Sequence, residues 1–311
     1  MLVQPIDAPL NCFPPVVDNS ILCEFISCPQ SCFRKYIQGY VPVLESVHLV
    51  AGAAYAKGLE MARRAYYEEG KDEEEAIAIG SSAAIQAYGG FEPPEDSNKT
   101  CLRVAGAVVR YFDQYPMATD FIRPMMTSEG KAMVEYSFVL PLPINNPDTG
   151  EPLLYSGRFD MLADYDGTPF GEDDKTASRL GASWGKKWEL ARQFTGYTWG
   201  VREYGINLGG FIIRGISFLS KTYGFEQPIV YRPPHLISMW YEQTLRDINR
   251  MISCYVEWKK TGKNSEWDYN LDDACSAYGG CCYRPVCQSN DPETWIKEFA
   301  LRRFDPTNQV D

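Results

Sequence analysis

Gly157-Arg158-Phe159-Asp160, followed after one turn by Gly171-Glu172-Asp173-Asp174-Lys175-Thr176, decides how this chain is read. Leu153–Tyr165 and Pro169–Thr176 have strand character on either side of the turn dipeptide Asp166-Gly167. Side chains alternate between the faces of a strand, so Asp173 and Lys175 project the same way. On the preceding strand Tyr155, Phe159, Met161, Ala163 and Tyr165 share a packed face, and Arg158 and Asp160 share the other. Asp160 can therefore meet Asp173 and Lys175 across the turn, while Glu172 and Asp174 look to the opposite face. Two carboxylates beside a lysine suit phosphodiester hydrolysis. Carboxylates hold Mg²⁺ or Mn²⁺, hard cations that take oxygen ligands. Such an ion polarises a phosphate and lowers the pKa of its bound water. A lysine, as a compact point charge, orients that water or offsets charge growing on the phosphoryl oxygens. Asp-x-Lys alone is a common pattern, and a charged surface hairpin is the plain reading beside it.

Outward from this hairpin the patterns change. Towards the N-terminus, residues 1–20 are Pro-rich and irregular, and Ser20–Ile37 reads as a short helix. His48–Glu69, Glu73–Tyr88 and Lys99–Gln114 carry helical periodicity, with Gly89-Gly90-Phe91-Glu92-Pro93-Pro94 as a breaker. Met133–Leu142 is a strand joined to Leu153–Tyr165 by Asn145–Gly150. Downstream, Ser183–Tyr204 predicts a helix, Gly210–Leu219 a buried strand, and His235–Lys260 a long helix before a Cys-rich tail. Strands followed by a helix and another strand predict an α/β core with helical additions. The chain is expected to form one domain over 1–311: a helical part at 20–120, a core at 121–260 and a cysteine region at 261–311.

The 311 residues, 45% hydrophobic and 14% aromatic, suffice for a sizeable core. No window has the apolar length of a membrane span, so no membrane partner is expected. The N-terminus lacks a basic region followed by an apolar one, which predicts an intracellular, cytoplasmic protein (host cytoplasm for a phage-encoded chain). The net charge of −11 disfavours a passive DNA coat, whose affinity draws on Lys and Arg. The acid concentrates in Glu68–Glu75. Basic residues gather at Arg34-Lys35, Arg63-Arg64 and Lys186-Lys187 with Arg192, leaving room for a local basic groove.

With Gly-Arg-Phe-Asp and Glu-Asp-Asp-Lys-Thr in order, the chain resembles the PD-(D/E)XK nuclease superfamily in its RecB-like form. Gln193-Phe194-Thr195-Gly196-Tyr197 is similar to that branch's Gln-x-x-x-Tyr helix motif, whose two polar side chains lie one helical turn apart. The resemblance implies a restriction-endonuclease-like core, a mixed central sheet flanked by helices. It also implies a metal-dependent deoxyribonuclease, an exonuclease acting on single-stranded or duplex DNA ends in recombination, repair or processing. Asp160, Asp173 and Lys175 are then catalytic, with Gln193 and Tyr197 bordering them. A helicase or recombination partner is a family trait. The family's metal-ligand histidine falls where this chain has Ala56, in Gly52-Ala53-Ala54-Tyr55-Ala56-Lys57-Gly58-Leu59-Glu60. Glu60 keeps its place and is the further acidic candidate beside Asp160 and Asp173 for the metal. His48, two helical turns earlier, is a compensating ligand or a plain structural residue.

Ten cysteines without an export signal favour metal binding over disulfides. Cys12, Cys23, Cys101 and Cys254 read as small core residues. Four more lie in Cys275-Ser-Ala-Tyr-Gly-Gly-Cys281-Cys282-Tyr-Arg-Pro-Val-Cys287, where Gly279-Gly280 eases a tight fold. The segment Cys28-Pro29-Gln30-Ser31-Cys32-Phe33-Arg34-Lys35-Tyr36 is similar to the Cys-Pro motif of iron–sulfur members of the same branch. That resemblance implies a 4Fe–4S cluster on Cys28, Cys275, Cys281 and Cys287, with Cys282 as an alternative to Cys281. Spacing alone equally permits a four-thiolate zinc site, with a reactive or disulfide pair as the third choice. A cluster would close a loop over most of the chain and act as a clasp. Trp184, Trp188 and Trp199, with Lys186, Lys187 and Arg192, suit either a sheet-packing helix face or a single-strand channel. Three functions remain open: an iron–sulfur exonuclease, a DNA-end-binding or assembly protein with a degenerate site, and a zinc-stapled protein whose acid pair resembles a nuclease by coincidence.

Overall fold

The computed structural model describes residues 10–277, 280–304 and 306. In chain order they form β1 Val16–Val17, α1 Asn19–Ser27, α2 Pro29–Cys32, a π-helical turn Phe33–Ile37, β2 Tyr40–Pro42, α3 Val47–Tyr67, α4 Glu73–Tyr88 and α5 Cys101–Gln114. Then come β3 Ile122–Pro124, β4 Val134–Asn145, β5 Pro152–Tyr165, β6 Thr168–Ala177, α6 Ala182–Lys186, α7 Arg192–Arg202, β7 Phe211–Phe218, β8 Tyr223–Glu226 and β9 Ile229–Val230. The chain ends through α8 Pro234–Thr261, α9 Asp273–Ser276, α10 Arg284–Gln288, α11 Pro292–Ile296 and β10 Phe299–Leu301. Two compact units result. One comprises the chain up to Leu44, Phe138–Gly157 and the chain from Ser238; the other comprises Glu45–Ser137 and Arg158–Ile237. No helix of the described residues is long and apolar enough to cross a membrane.

The second unit holds the acidic hairpin. Its sheet is mixed: β5 and β6 run antiparallel from Met161↔Glu172 to Tyr165↔Thr168, and β6 and β7 run parallel from Gly171↔Phe211 to Ala177↔Ser217. The β5–β6 turn places Asp166 and Gly167 both at positive φ (52° and 77°), the geometry a two-residue hairpin requires. Strand β3 adds antiparallel to β5, and β8 and β9 add antiparallel to β7. Helices α3 to α5 cover one face, where Ala54, Leu59, Ala62, Val104 and Val108 pack with Ile216 and Phe218 of β7. The other face takes α6 and α7: Phe194 stacks on Phe211 with centroids 4.7 Å apart. Trp184 lies so close to Gly215 that a Cβ there would sit 2.4 Å from the ring, so β7 needs glycine at that point. The molecule is thus a mixed α/β fold with its central mixed sheet flanked by helices, as the element order predicts.

In the first unit β1 pairs parallel with the start of β5 (Val16↔Leu154), and β10 pairs antiparallel with β2. The β4–β5 turn is tied down chemically. Asp148 accepts hydrogen bonds from the Phe13 N–H (2.7 Å) and the Tyr255 hydroxyl of α8 (2.7 Å).

Four local expectations are corrected. The helix predicted over Ser20–Ile37 breaks at Cys28 (φ −157°, ψ 107°), because Pro29 drives its predecessor out of the helical region. The helix predicted over Ser183–Tyr204 divides into α6 and α7, since Arg232 takes the carbonyls of Trp188 and Ala191 (2.7 and 3.4 Å). Phe159 does not share a face with Met161 and Ala163. Regular β5–β6 pairing stops at Met161↔Glu172, and Phe159 turns to stack on Phe211 at 5.7 Å. Cys23 is exposed rather than a core residue.

Candidate active site

The break in pairing builds the site. Where the β5–β6 ladder ends, the Asp174 N–H donates to Asp160 Oδ2 at 2.7 Å instead of to a strand carbonyl. That bond swings the Asp160 carboxylate onto the strand carrying Asp173 and Lys175. Lys175 Nζ contacts Asp173 Oδ1 directly, and its charge also acts on Asp160. The three residues singled out in the sequence are therefore brought together.

A third carboxylate joins them that sequence reasoning missed. Glu135, at the start of β4, lies in the field of Asp160 and Glu60, and Arg158 Nε stands 2.7 Å from its Oε2. Its φ of 52° is rare for a residue with a side chain and marks local strain. Only a lone Glu in a strand pattern was visible in the sequence, with no spacing to tie it to the hairpin.

Crowding sets the protonation. Burial, then the neighbouring Asp160, pushes the Asp173 carboxyl up to about 7 against the pull of Lys175. Burial with Asp160 beside it pushes Glu135 up to about 8. Burial also raises Asp160, opposed first by Lys175. For Lys175 burial disfavours the charge, but Asp173 and Asp160 outweigh it and hold the ammonium protonated. Asp173 Oδ1 and Glu135 Oε2 are buried and meet a cation without accepting a well-directed hydrogen bond. Buried carboxylate oxygens in that condition suit a hard divalent cation. Among the described residues no three such side chains are already gathered round one point, so the fit lies in the donor chemistry.

Glu172 and Asp174 hold the back of the same strand. Arg63 of α3 spans both, at 3.0 Å to Glu172 and 2.8 Å to Asp174, and all three side chains are buried. Arg214 of β7 reaches Asp120 at 2.6 Å and the Tyr111 hydroxyl at 3.1 Å beside them. These acids are structural counter-charges on the face away from Asp173, as alternation predicts.

On α7, Gln193 Nε2 donates to the Tyr197 hydroxyl at 3.3 Å, and the ring packs 5.0 Å from Phe159. Burial, then the Asp173 charge, raises the Tyr197 phenol to about 12. Both residues thus sit one helical turn apart beside the carboxylates. Glu60 acts on Glu135 but engages its own helix, at 2.9 Å to Arg64 and 3.2 Å to Lys57. His48 is exposed and feels Lys99. Trp184 is buried against β7, while half-buried Trp188 lies 5.9 Å from Lys175 Nζ and 4.2 Å from Lys187 Nζ.

The cysteines of the two Cys-rich segments, Cys28 and Cys275 to Cys287, lie in the first unit. Burial, then the charges of Cys281, Cys28 and Cys287, raises the Cys275 thiol, which places those four within one electrostatic neighbourhood. Arg34 Nη1 donates to Cys287 Sγ at 2.8 Å, and the Cys281 N–H donates to the Cys275 carbonyl at 3.0 Å. Cys32 is instead fully buried against the Ile21 carbonyl. Hydrogen bonding from Cys282 pulls the Cys281 thiol down to about 6. Gly279 lies outside the described residues.

No family model matches this sequence, and no curated protein matches it. A solved structure from Eubacterium rectale, named as a candidate exonuclease, superposes with a TM-score of 0.49 at 13% identity, over 84% of this chain and 87% of that one. The protein SSO0001 superposes with a TM-score of 0.28 at 14% identity, over 62% of this chain and 74% of its own. At this distance neither likeness bears on the chemistry.

Proposed function

We propose that this chain is a Mg²⁺- or Mn²⁺-dependent deoxyribonuclease of the PD-(D/E)XK, RecB-like kind, trimming DNA from its ends. The observation that carries the reading is the convergence of Asp160, Asp173 and Lys175 at the end of the β5–β6 ladder. Asp160 and Asp173 are the metal ligands, with Glu135 as a third carboxylate and Glu60 behind it. The bound ion would polarise the scissile phosphate and acidify a water. Lys175, held protonated by the acid pair, offsets charge on the phosphoryl oxygens. Glu135, which keeps its proton up to about 8 without an ion, would ionise to join Asp160 and Asp173 as a ligand. Gln193 and Tyr197 hold the wall beside Lys175.

The proposed 4Fe–4S cluster on Cys28, Cys275, Cys281 and Cys287 draws on the charges of the other three acting on Cys275; among the described residues no three thiols are already gathered round one point. Cys281, half-buried and acidified, suits ligation better than exposed Cys282. Zinc is the competing occupant of the same thiolates. A second function, DNA-end binding without cleavage, draws on Ala56 standing where a ligand histidine is expected.

Digestion of end-labelled single- and double-stranded DNA by anaerobically purified protein tests the reading. Wild type should cleave only with Mg²⁺ or Mn²⁺, and Lys175→Ala should lose roughly 10²–10³-fold in rate, the scale for removing one transition-state donor. Equal cleavage by the variant, or none by wild type, overturns it.

A further inference from the structure

Lys99 marks a second polar site, on the α3–α5 side of the sheet. It is 5% exposed, and burial alone pushes its ammonium pKa down. Among the described residues its ammonium meets one hydroxyl and one ring: it donates to Thr176 Oγ1 at 3.2 Å and lies 5.6 Å from the Phe218 centroid. The residue is anchored on both sides, its N–H donating to Ser97 Oγ (3.1 Å) and its carbonyl accepting from the Tyr88 hydroxyl (2.6 Å). A buried lysine is ordinarily paired with an acid. This one has three donors and uses one.

Its partner is informative. Thr176 directly follows Lys175, at the end of β6, and α3 presents Gly52 to it, where a Cβ would stand 3.7 Å from Oγ1. Exposed His48, in the first turn of α3, lies in the field of Lys99. Among the described residues the cluster carries positive charge and one hydroxyl with no acid against the Lys99 ammonium, and it lies at the end of β6 on the face opposite Lys175. An ammonium with a hydroxyl is suited to a phosphate oxygen.

We propose that Lys99 and Thr176, with His48 at the rim, bind a backbone phosphate of the nucleic-acid strand where it passes round the end of β6 from the acidic site of Asp160, Asp173 and Lys175; this rests on the nuclease reading. The test is the salt dependence of fluorescein-labelled oligothymidylate binding, followed by anisotropy without divalent metal. Lys99→Met should weaken binding and shrink the slope of log K against log salt by roughly 0.7, the share of one single-strand phosphate contact. Lys99→Arg should keep the slope, and Thr176→Val should weaken binding at an unchanged slope. Met retains the buried stem, so the wild-type thermal transition should persist. If Lys99→Met does not fold, unchanged affinity in Thr176→Val overturns the proposal. An unchanged slope in a folded Lys99→Met overturns it too. Inorganic phosphate binding that depends on Lys99, with the oligothymidylate slope unaltered, would reassign the site to free phosphate and overturn the strand subsite. Absent hydrolysis by wild type with the slope effect intact fails the nuclease reading alone. Hydrolysis with an unaltered slope fails the subsite alone.

Discussion

At the scale of single residues, the site is governed by how many acids share a buried space. Glu135 ionises at about 8 in the folded protein, chiefly because burial disfavours its charge. Folded chains therefore keep protons that unfolded chains release from their ordinary carboxyl range upward. Stability of the metal-free protein should fall as pH rises from about 5 to about 8, the interval between the two values. A thermal-melt series across that interval checks the sign. Mn²⁺ should reverse the fall, because a divalent cation replaces the retained protons. Glu135→Gln should flatten the metal-free profile and weaken Mn²⁺ binding measured by calorimetry. A variant that binds Mn²⁺ as tightly as wild type removes Glu135 from the ligand set. Asp160, Asp173 and Lys175 were legible from alternation and order. Glu135 was not, because only the approach of β4 joins it to them.

At the scale of elements, β6 is gripped from both faces, and each grip can be broken separately. Arg63 of α3 balances Glu172 and Asp174 on one side. Arg63→Met leaves two buried carboxylates without that partner and should cost about 3–5 kcal/mol in urea denaturation. Adding Glu172→Gln and Asp174→Asn should recover most of it, since the uncompensated charge is then gone. Failure to recover would mean that Arg63 stabilises by packing and not by charge. On the other face Gly215→Ala would drive a methyl into Trp184 and should cost about 1–3 kcal/mol. In a Trp184→Ala background the same substitution should cost little. The helices and strands were mostly readable from period and breakers. The division of α6 from α7 was not, because it depends on Arg232 reaching Trp188 and Ala191 from a distant part of the chain.

At the scale of the whole molecule, the proposed cluster ties the N-terminal Cys28 to the C-terminal tail. Cys275→Ala should abolish a broad absorption near ~400 nm in anaerobically purified protein and lower the melting temperature, with activity falling only as far as folding does. Recovery of zinc and no such band would replace the iron–sulfur assignment with a four-thiolate zinc site. The sequence by itself determined the acidic hairpin, the shared face of Asp173 and Lys175, and the class of the fold. Side-chain alternation, turn chemistry and helical period act over a few residues and leave their mark in order and spacing. Only the tertiary structure decided that Asp160 is drawn onto β6 by a broken ladder, that Glu135 comes within the field of Asp160, and that Lys99 lies buried beside Thr176 with no acid against it among the described residues. Those facts depend on which distant segments share one buried space, and burial, unlike periodicity, is a property of the folded chain alone.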